Sequence, residues 1–428
     1  MPSLADGWDL GGYQPDRGTD RWIFIEVETS QHSQIEIATV VPGYEEGGGL
    51  PAVADFLSTA LERIGGFKTR IVSPLMRWND PLNACLTRPG RWFRGPRAED
   101  SFVQGRNITR VGTWWAELEF MRYCPRRALD RAVKGADLVQ VVCGSAVSAY
   151  ALRRVRQPLF IQVATTLSVE RVQGRRPGSR PGIAWAMTRL CEPLERAALR
   201  RADGVFVENQ WMYDRLASVL PKGRLHFAPP GVDTDFFRPD PVVVRDRLLF
   251  VGRLSDPRKN VRLLLEAYRR LCERLPAVPV LALAGSLPLS EDDARFVAES
   301  GLASQVELHL RPDRVAVAAL YRRCQIFLLG SNEEGFGIVL TEAMSSGAPV
   351  VSTDCGGPRV IVEEGHTGFL VPIGDTAAMA DRVARLLQDE TLRHTMGVAA
   401  RAWVNANFSI AVCGRRFADA YRAALPRN

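Results

Sequence analysis

At 428 residues the chain exceeds what one ordinary hydrophobic core supports, so two domains are expected. A hydrophobic share of 46% against 24% charged excludes disordered and fibrous classes and supplies apolar material for two cores. The net charge of +7 comes almost wholly from arginine, with lysine only at Lys68, Lys134, Lys222 and Lys259; it favours an anionic partner without choosing among phosphate, nucleic acid and an anionic bilayer.

Residues 1–20 are polar and glycine-bearing and read as a loosely ordered segment without an apolar leader. Trp22–Glu28 fits an extra strand. An α/β rhythm then begins with a strand over Gln34–Val41, a loop carrying Gly47-Gly48-Gly49, a helix over Leu50–Ile64 and a strand over Thr69–Ser73. Residues 75–117 break the rhythm and read as an insertion with little regular structure. A helix is expected over Glu119–Lys134, with strands over Leu138–Val142 and Leu159–Val163. A basic Pro/Gly loop follows over Arg171–Gly182, then a helix over Ala184–Arg201 and strands over Val205–Glu208 and Leu225–Ala228. Pro229–Pro241 is punctuated like an interdomain connection.

The rhythm restarts with the strand Leu248–Gly252 and the helix Asn260–Arg274. Gln325–Gly330 is an apolar strand, Ser331–Gly337 a polar loop, Ile338–Ser346 a short helix and Pro349–Asp354 the next strand. A Gly356-Gly357-Pro358 turn and a helix over Arg359–Glu364 follow, and two helical stretches at about 392–406 and 411–424 finish the chain. The strands of this half are near-continuous apolar runs, as in a parallel sheet covered on both faces. No stretch reaches the length of a membrane span, which predicts a cytoplasmic protein or one held peripherally at the inner membrane face. The cysteines form no CxxC pair and no Cys/His cluster with metal spacing.

Three features fall at the carboxyl ends of predicted parallel strands, where open α/β sheets bind ligands. Arg253 follows one strand and Lys259 begins the next helix, a prepared site for a diphosphate or a pair of solvated cations. Glu334 lies in the loop before the short helix and Glu342 about two turns on, on the same face if the helix reaches back that far. Carboxylates set among glycines suit a polyhydroxylated ligand whose hydroxyls donate to them. The Gly356-Gly357 turn offers backbone N–H groups. In the first half Gly48 and Gly49 allow close backbone approach, or make a plain flexible turn.

Together these features resemble the retaining GT-B glycosyltransferases of the glycogen-synthase-like family. The matching stretches are VGRLSDPRKN from Val251, EEGFGIVLTEAMSSGAPVVSTDCGG from Glu333, EGHTGFLV from Glu364 and PGVDTDFF from Pro230. The likeness is close over roughly 200–390 and loose over the first half. It implies an α/β fold of two Rossmann-like domains with parallel sheets facing across a cleft. The acceptor domain would span 21–232 and the donor domain 233–408, and a C-terminal helix over 409–428 would return to the first domain. It implies hexosyl transfer, with retention and without a metal or other cofactor, from a nucleoside-diphosphate sugar of UDP or GDP type to a hydroxyl acceptor. Arg253 and Lys259 would hold the diphosphate, Glu334 the transferred sugar and Glu342 the ribose. Gly335, Phe336 and Gly337 would offer backbone near sugar and phosphates, Gly48 and Gly49 would face the diphosphate, and Leu310 and Arg311 would lie by the base.

The chain departs from the pattern in places. Many relatives carry a histidine at a first-half strand end, where this chain has Ala164 or Thr165; Arg311 and Pro312 stand where a glycine is common. A sugar-nucleotide epimerase or phosphorylase on the same fold, or a non-catalytic sugar-nucleotide binder, are the alternative readings. The stretches Arg88–Arg97 and Arg171–Arg180 fit an anionic bilayer surface or a lipid-linked acceptor, though in so arginine-rich a chain a solvated loop is the readier reading. No nucleic-acid-binding module appears, so nucleic acid is not an expected partner.

Overall fold

The computed structural model describes residues 34–46, 49–169 and 183–425. The expected strand Trp22–Glu28, Gly48 and the basic loop over 171–182 lie outside the described residues. The first half forms a sheet from β1 (Ile35–Val40), β2 (Phe67–Pro74), β3 (Ala98–Val103), β4 (Arg106–Val111), β5 (Leu138–Cys143), β6 (Leu159–Val163), β7 (Gly204–Val207) and β8 (Leu225–Phe227). Their spatial order is β3-β4-β2-β1-β5-β6-β7-β8, parallel throughout except that β3 runs antiparallel to β4 at the edge. The second half contributes β9 (Arg247–Val251), β10 (Val280–Gly285), β11 (Val306–Leu310), β12 (Cys324–Leu329), β13 (Val350–Thr353) and β14 (Gly368–Val371). Here the order is β11-β10-β9-β12-β13-β14 and all pairs are parallel. Strands β5, β6 and β7 are buried at every position, which is why they read as unbroken apolar runs.

Parallel neighbours need long crossovers, and helices supply them. In chain order the described helices are α1 (Gly49–Ile64), α2 (Arg127–Ala132), α3 (Ile183–Arg201), α4 (Gln210–Ala217), α5 (Val261–Arg274), α6 (Glu291–Glu299), α7 (Arg314–Arg323), α8 (Ile338–Ser345), α9 (Pro358–Ile361) and, after the last strand, α10 (Thr376–Gln388), α11 (Glu390–Asn407) and α12 (Ile410–Ala424). The last of these packs beside α1 on the first sheet. The Phe417 ring lies 4.4 Å from that of Phe206, and the Tyr421 hydroxyl donates to buried Gln140 Oε1 at 2.7 Å. Gly414 permits the close approach, since a Cβ there would sit 2.7 Å from Ala60 Cβ.

Several local expectations are corrected. Residues 75–117 are not an irregular insertion: β3 and β4 form a hairpin whose second strand joins β2. The stretch Glu119–Lys134 is not one helix but a tight helical turn over Glu119–Tyr123, then α2, parted at Pro125, which biases the residue before it away from helix. Lys259 does not open a helix. It ends a short turn over Pro257–Lys259, and Asn260, at φ +45°, breaks the backbone before α5 starts at Val261. The helix expected over Arg359–Glu364 shrinks to Pro358–Ile361, and α4 has no counterpart among the expected elements.

The chain crosses between the sheets twice, and the crossings lie side by side. Val232 N–H donates to Phe408 O at 2.8 Å and Ile410 N–H donates to Val232 O at 3.0 Å. Gly231 makes the fit, because a Cβ there would meet Phe56 and Ser409 O at 2.8 Å. Asp233 caps the next turn through the N–H groups of Asp235 and Phe236, both at 3.2 Å, and pairs with Arg63 at 2.7 Å.

Candidate active site

The loop after β9 carries the cations. Glycines bring the ends of β9 and β10 together: a Cβ on Gly285 would lie 1.9 Å from Gly252 O. Arg253 is half-exposed and its guanidinium meets Asp256 at 2.7 Å, while Arg258 meets the same carboxylate at 2.9 Å. Burial acts to raise the Asp256 carboxyl, but the hydrogen bonds and charge of Arg258, with the charge of Arg253, hold it below the usual carboxylate range. Lys259 turns away from these and bonds Glu334 Oε1 at 2.6 Å.

The loop after β12 supplies the carboxylate. Ser331 Oγ donates to Glu334 Oε1 at 2.7 Å, so this oxygen is held from two sides. Asn332 laces the two loops together. Its N–H donates to Arg258 O at 2.7 Å, its side-chain amide donates to Pro257 O at 3.3 Å, and its Oδ1 accepts from Asn260 at 3.1 Å. Gly337 at φ +100° turns the chain into α8, a conformation that glycine adopts without steric penalty. The Gly356-Gly357 turn packs under this loop: Gly357 N–H donates to Glu334 O at 3.0 Å, and a Cβ on Gly357 would lie 2.4 Å from Phe336 O. That N–H therefore supports the glutamate loop and is not free for an anion or sugar. Phe336 is buried, its ring edge-on to Phe408.

Glu334 and Glu342 do not share a helix face, because α8 starts only at Ile338. Glu342 is partly buried, and Tyr321 on α7 donates its hydroxyl to one of its oxygens, Oε2, at 2.8 Å. Burial pushes the Glu342 carboxyl up to about 7 against that hydrogen bond and the charge of Arg314. At the sheet edge, Leu310 ends β11 half-exposed, and Arg311 takes φ +52° as its N–H donates to Gly285 O at 2.8 Å. A left-handed arginine where a glycine is common keeps the backbone turn at a cost of order 1 kcal/mol. Gly49 opens α1 rather than lying in a loop, with nothing within 4 Å of where a Cβ would be.

Asn209 links the halves. At the carboxyl end of β7 its Oδ1 caps α4 through Met212 N–H at 2.9 Å, and its Nδ2 donates to Gly335 O at 2.6 Å. The neighbouring Glu208 is buried and accepts from Gln162 Nε2 at 3.0 Å. No role is expected from sequence for Glu208, Asn209, Asn332 or Tyr321. The pair Glu208-Asn209 did carry a signal, an acid and an amide directly after an apolar strand at a ligand-bearing edge. Tyr321 carries none, since its partner lies in another helix. The assembly is thus a cationic loop and an acidic loop laced edge to edge, opposed by polar groups from the first sheet. It can take an anion beside a hydroxyl-bearing group.

Residues 47–236 match the family model described as Glycosyltransferase Family 4, and residues 233–403 the model described as Glycosyl transferases group 1. The chain is 31% identical over 294 residues to a GDP-mannose-dependent alpha-(1-6)-phosphatidylinositol monomannoside mannosyltransferase of Mycolicibacterium smegmatis, covering 61% of this chain and 75% of that one. It is 34% identical over 222 residues to a D-inositol 3-phosphate glycosyltransferase of Frankia alni, covering 47% and 54%. Among solved structures it shares its fold with sucrose-phosphate synthase from Thermosynechococcus elongatus, at TM-score 0.69, 21% identity and coverage of 91% and 99%. Anabaena HepE in complex with UDP-glucose is also similar, at TM-score 0.66, 18% identity and the same coverage. With two sheets meeting at their carboxyl edges and both halves matched, the chain belongs to the family 4 glycosyltransferases of GT-B fold.

Proposed function

We propose that the protein transfers a hexosyl group, with retention and without a metal ion, from a UDP- or GDP-type nucleoside-diphosphate sugar to a hydroxyl acceptor. The observation that carries this reading is the Lys259–Glu334 pair at 2.6 Å, which joins the cationic loop to the acidic one. An arriving diphosphate offers Lys259 and Arg253 a stronger acceptor than a shared carboxylate, and Arg258 lies beside them. Glu334, released from the ammonium, then accepts from the sugar hydroxyls while Ser331 keeps its orientation. Glu342 accepts from the ribose, drawing on a carboxyl already half-way out of water. The cations stabilise the departing diphosphate as charge develops on it. In this reading the acceptor oxygen forms its bond to the anomeric carbon on the face the diphosphate leaves. The broken carbon–oxygen bond gives its electron pair to the phosphate, which takes the acceptor proton.

Relatives named for GDP-mannose and a neighbour complexed with UDP-glucose support trying both bases. Relatives named for inositol-bearing acceptors make a polyol the first class to test. A peripheral membrane contact belongs to the same reading. Phe93 is 98% exposed with Trp92 beside it at 40%, and a pocket of about 550 Å³ next to them is lined by Arg94, Arg97 and Arg131 together with Glu99 and Asp100. Among the described residues no helix is long and apolar enough to cross a membrane.

Thermal-shift titration with UDP, GDP, ADP and their sugars tests the donor, since a ligand of the native state alone raises apparent stability. NMR of the product from myo-inositol, D-inositol 3-phosphate or phosphatidylinositol vesicles then reads the anomer. Stabilisation by one nucleotide sugar, a retained anomer and activity undiminished by EDTA are expected. No stabilisation by any nucleotide, an inverted product or loss of activity with EDTA would each overturn the corresponding part.

A further inference from the structure

We propose that Glu208 orients the acceptor, its free carboxylate oxygen receiving a hydrogen bond from a neutral hydroxyl of a polyol in the cleft. This rests on the reading that transfer takes place in this cleft. Strands β6 and β7 pair in parallel with Val163 opposite Val207, so Ala164 and Glu208 are the next residue along each. Both face the acidic loop of the other sheet. A Cβ on Gly335 would lie 3.5 Å from Ala164 Cβ and 3.6 Å from Glu208 Oε2. Ala164 has a side chain too small to reach a ligand, and Glu208 reaches the same space from the adjacent strand.

Glu208 is 7% exposed, yet its charge has no cation against it among the described residues. Oε1 accepts from Gln162, and Oε2 accepts from no described residue. Two further polar atoms of β6 and its end, Gln162 Oε1 and Thr165 Oγ1, are buried without a partner among the described residues. Native proteins seldom leave several buried polar atoms unpaired at one spot, and a bound ligand is one of the standard explanations. A carboxylate repels phosphate, so what it takes is a hydroxyl, and Thr165 can donate to or accept from the same ring of hydroxyls. Burial raises the Glu208 carboxyl to about 7, in keeping with a group held out of water without a counter-charge. Asn209, next in the chain, fixes the distance to the sugar-reading loop through Gly335 O.

The test uses Glu208→Gln. The amide keeps an oxygen for Gln162 and turns an N–H donor to the cleft, so packing is kept and the hydrogen-bond polarity reversed. With GDP-mannose or UDP-glucose as donor and myo-inositol, D-inositol 3-phosphate or phosphatidylinositol vesicles as acceptor, acceptor kcat/KM falls by at least about tenfold, mainly through KM. Donor Kd and donor hydrolysis without acceptor stay within about twofold, and the melting temperature does not fall; a merely structural role would move those instead. An acceptor kcat/KM within twofold of wild type sinks the proposal alone, as does a donor Kd that weakens in parallel. Wild-type transfer to none of the three refutes the polyol assignment. A wild-type protein that binds neither nucleotide sugar sinks the underlying reading instead.

Discussion

Glu208 places a pH-dependent load on the native state that its amide counterpart removes. Burial lifts the carboxyl from an ordinary 4.5 to about 7, with the Gln162 hydrogen bond opposing. In the unfolded chain it titrates near its ordinary value. Below that value both states hold the proton and the load vanishes. Between 4.5 and 7 the native state keeps a proton that the unfolded state has released, so stability falls as pH rises; above 7 the full load stands. At about 1.4 kcal/mol per pH unit the whole effect is about 3 kcal/mol. Glu208→Gln is therefore within about 1 kcal/mol of wild type at pH 5 and more stable by about 3 kcal/mol at pH 8. Thermal midpoints of both proteins at the two pH values, in one buffer series of constant ionic strength, give the comparison. A difference that does not grow with pH, or a variant less stable at pH 8, refutes the reasoning. A side chain that weakens the fold at working pH and is nonetheless present is what a functional site looks like energetically.

Lys259→Ala weakens nucleotide-sugar binding by about ten- to a hundredfold, read by calorimetric titration; unchanged affinity would remove Lys259 from the donor site. Gly357→Ala drives a methyl group to 2.4 Å from Phe336 O and costs about 1–3 kcal/mol of stability, visible as a lower melting temperature; an unshifted midpoint would mean the loop under Glu334 yields freely. Replacement of the almost wholly exposed Phe93 by serine leaves the melting temperature nearly unchanged and cuts co-sedimentation with anionic phosphatidylinositol vesicles several-fold; equal co-sedimentation, or none by wild type, would exclude this loop as the contact.

The second half was legible because its chemistry is local in the chain. Arg253, Lys259 and the Glu334 loop sit directly after apolar strands, so a strand pattern alone places them on one edge. What escaped was set by tertiary packing or backbone geometry. Strand Ala98–Val103 is largely exposed and carries Glu99 and Asp100, so it lacks the apolar alternation that marks a strand, and only pairing with β4 reveals it. The left-handed Asn260 moved a helix start by one residue, and the rotation of Glu342 toward Tyr321 depends on a neighbouring helix. Asn209 caps α4 with one end of its amide; that the other end bonds Gly335 is a fact of two sheets meeting, which no local pattern announces.

The doubled backbone at Val232 and Ser409 governs how the halves can move. A single covalent tether would let one half swing through a wide cone. Two strands lashed by Val232 N–H to Phe408 O and Ile410 N–H to Val232 O behave as a torsion strip. Twisting leaves both bonds intact, whereas sliding or splaying strains them together, so relative motion of the halves is steered toward a single arc.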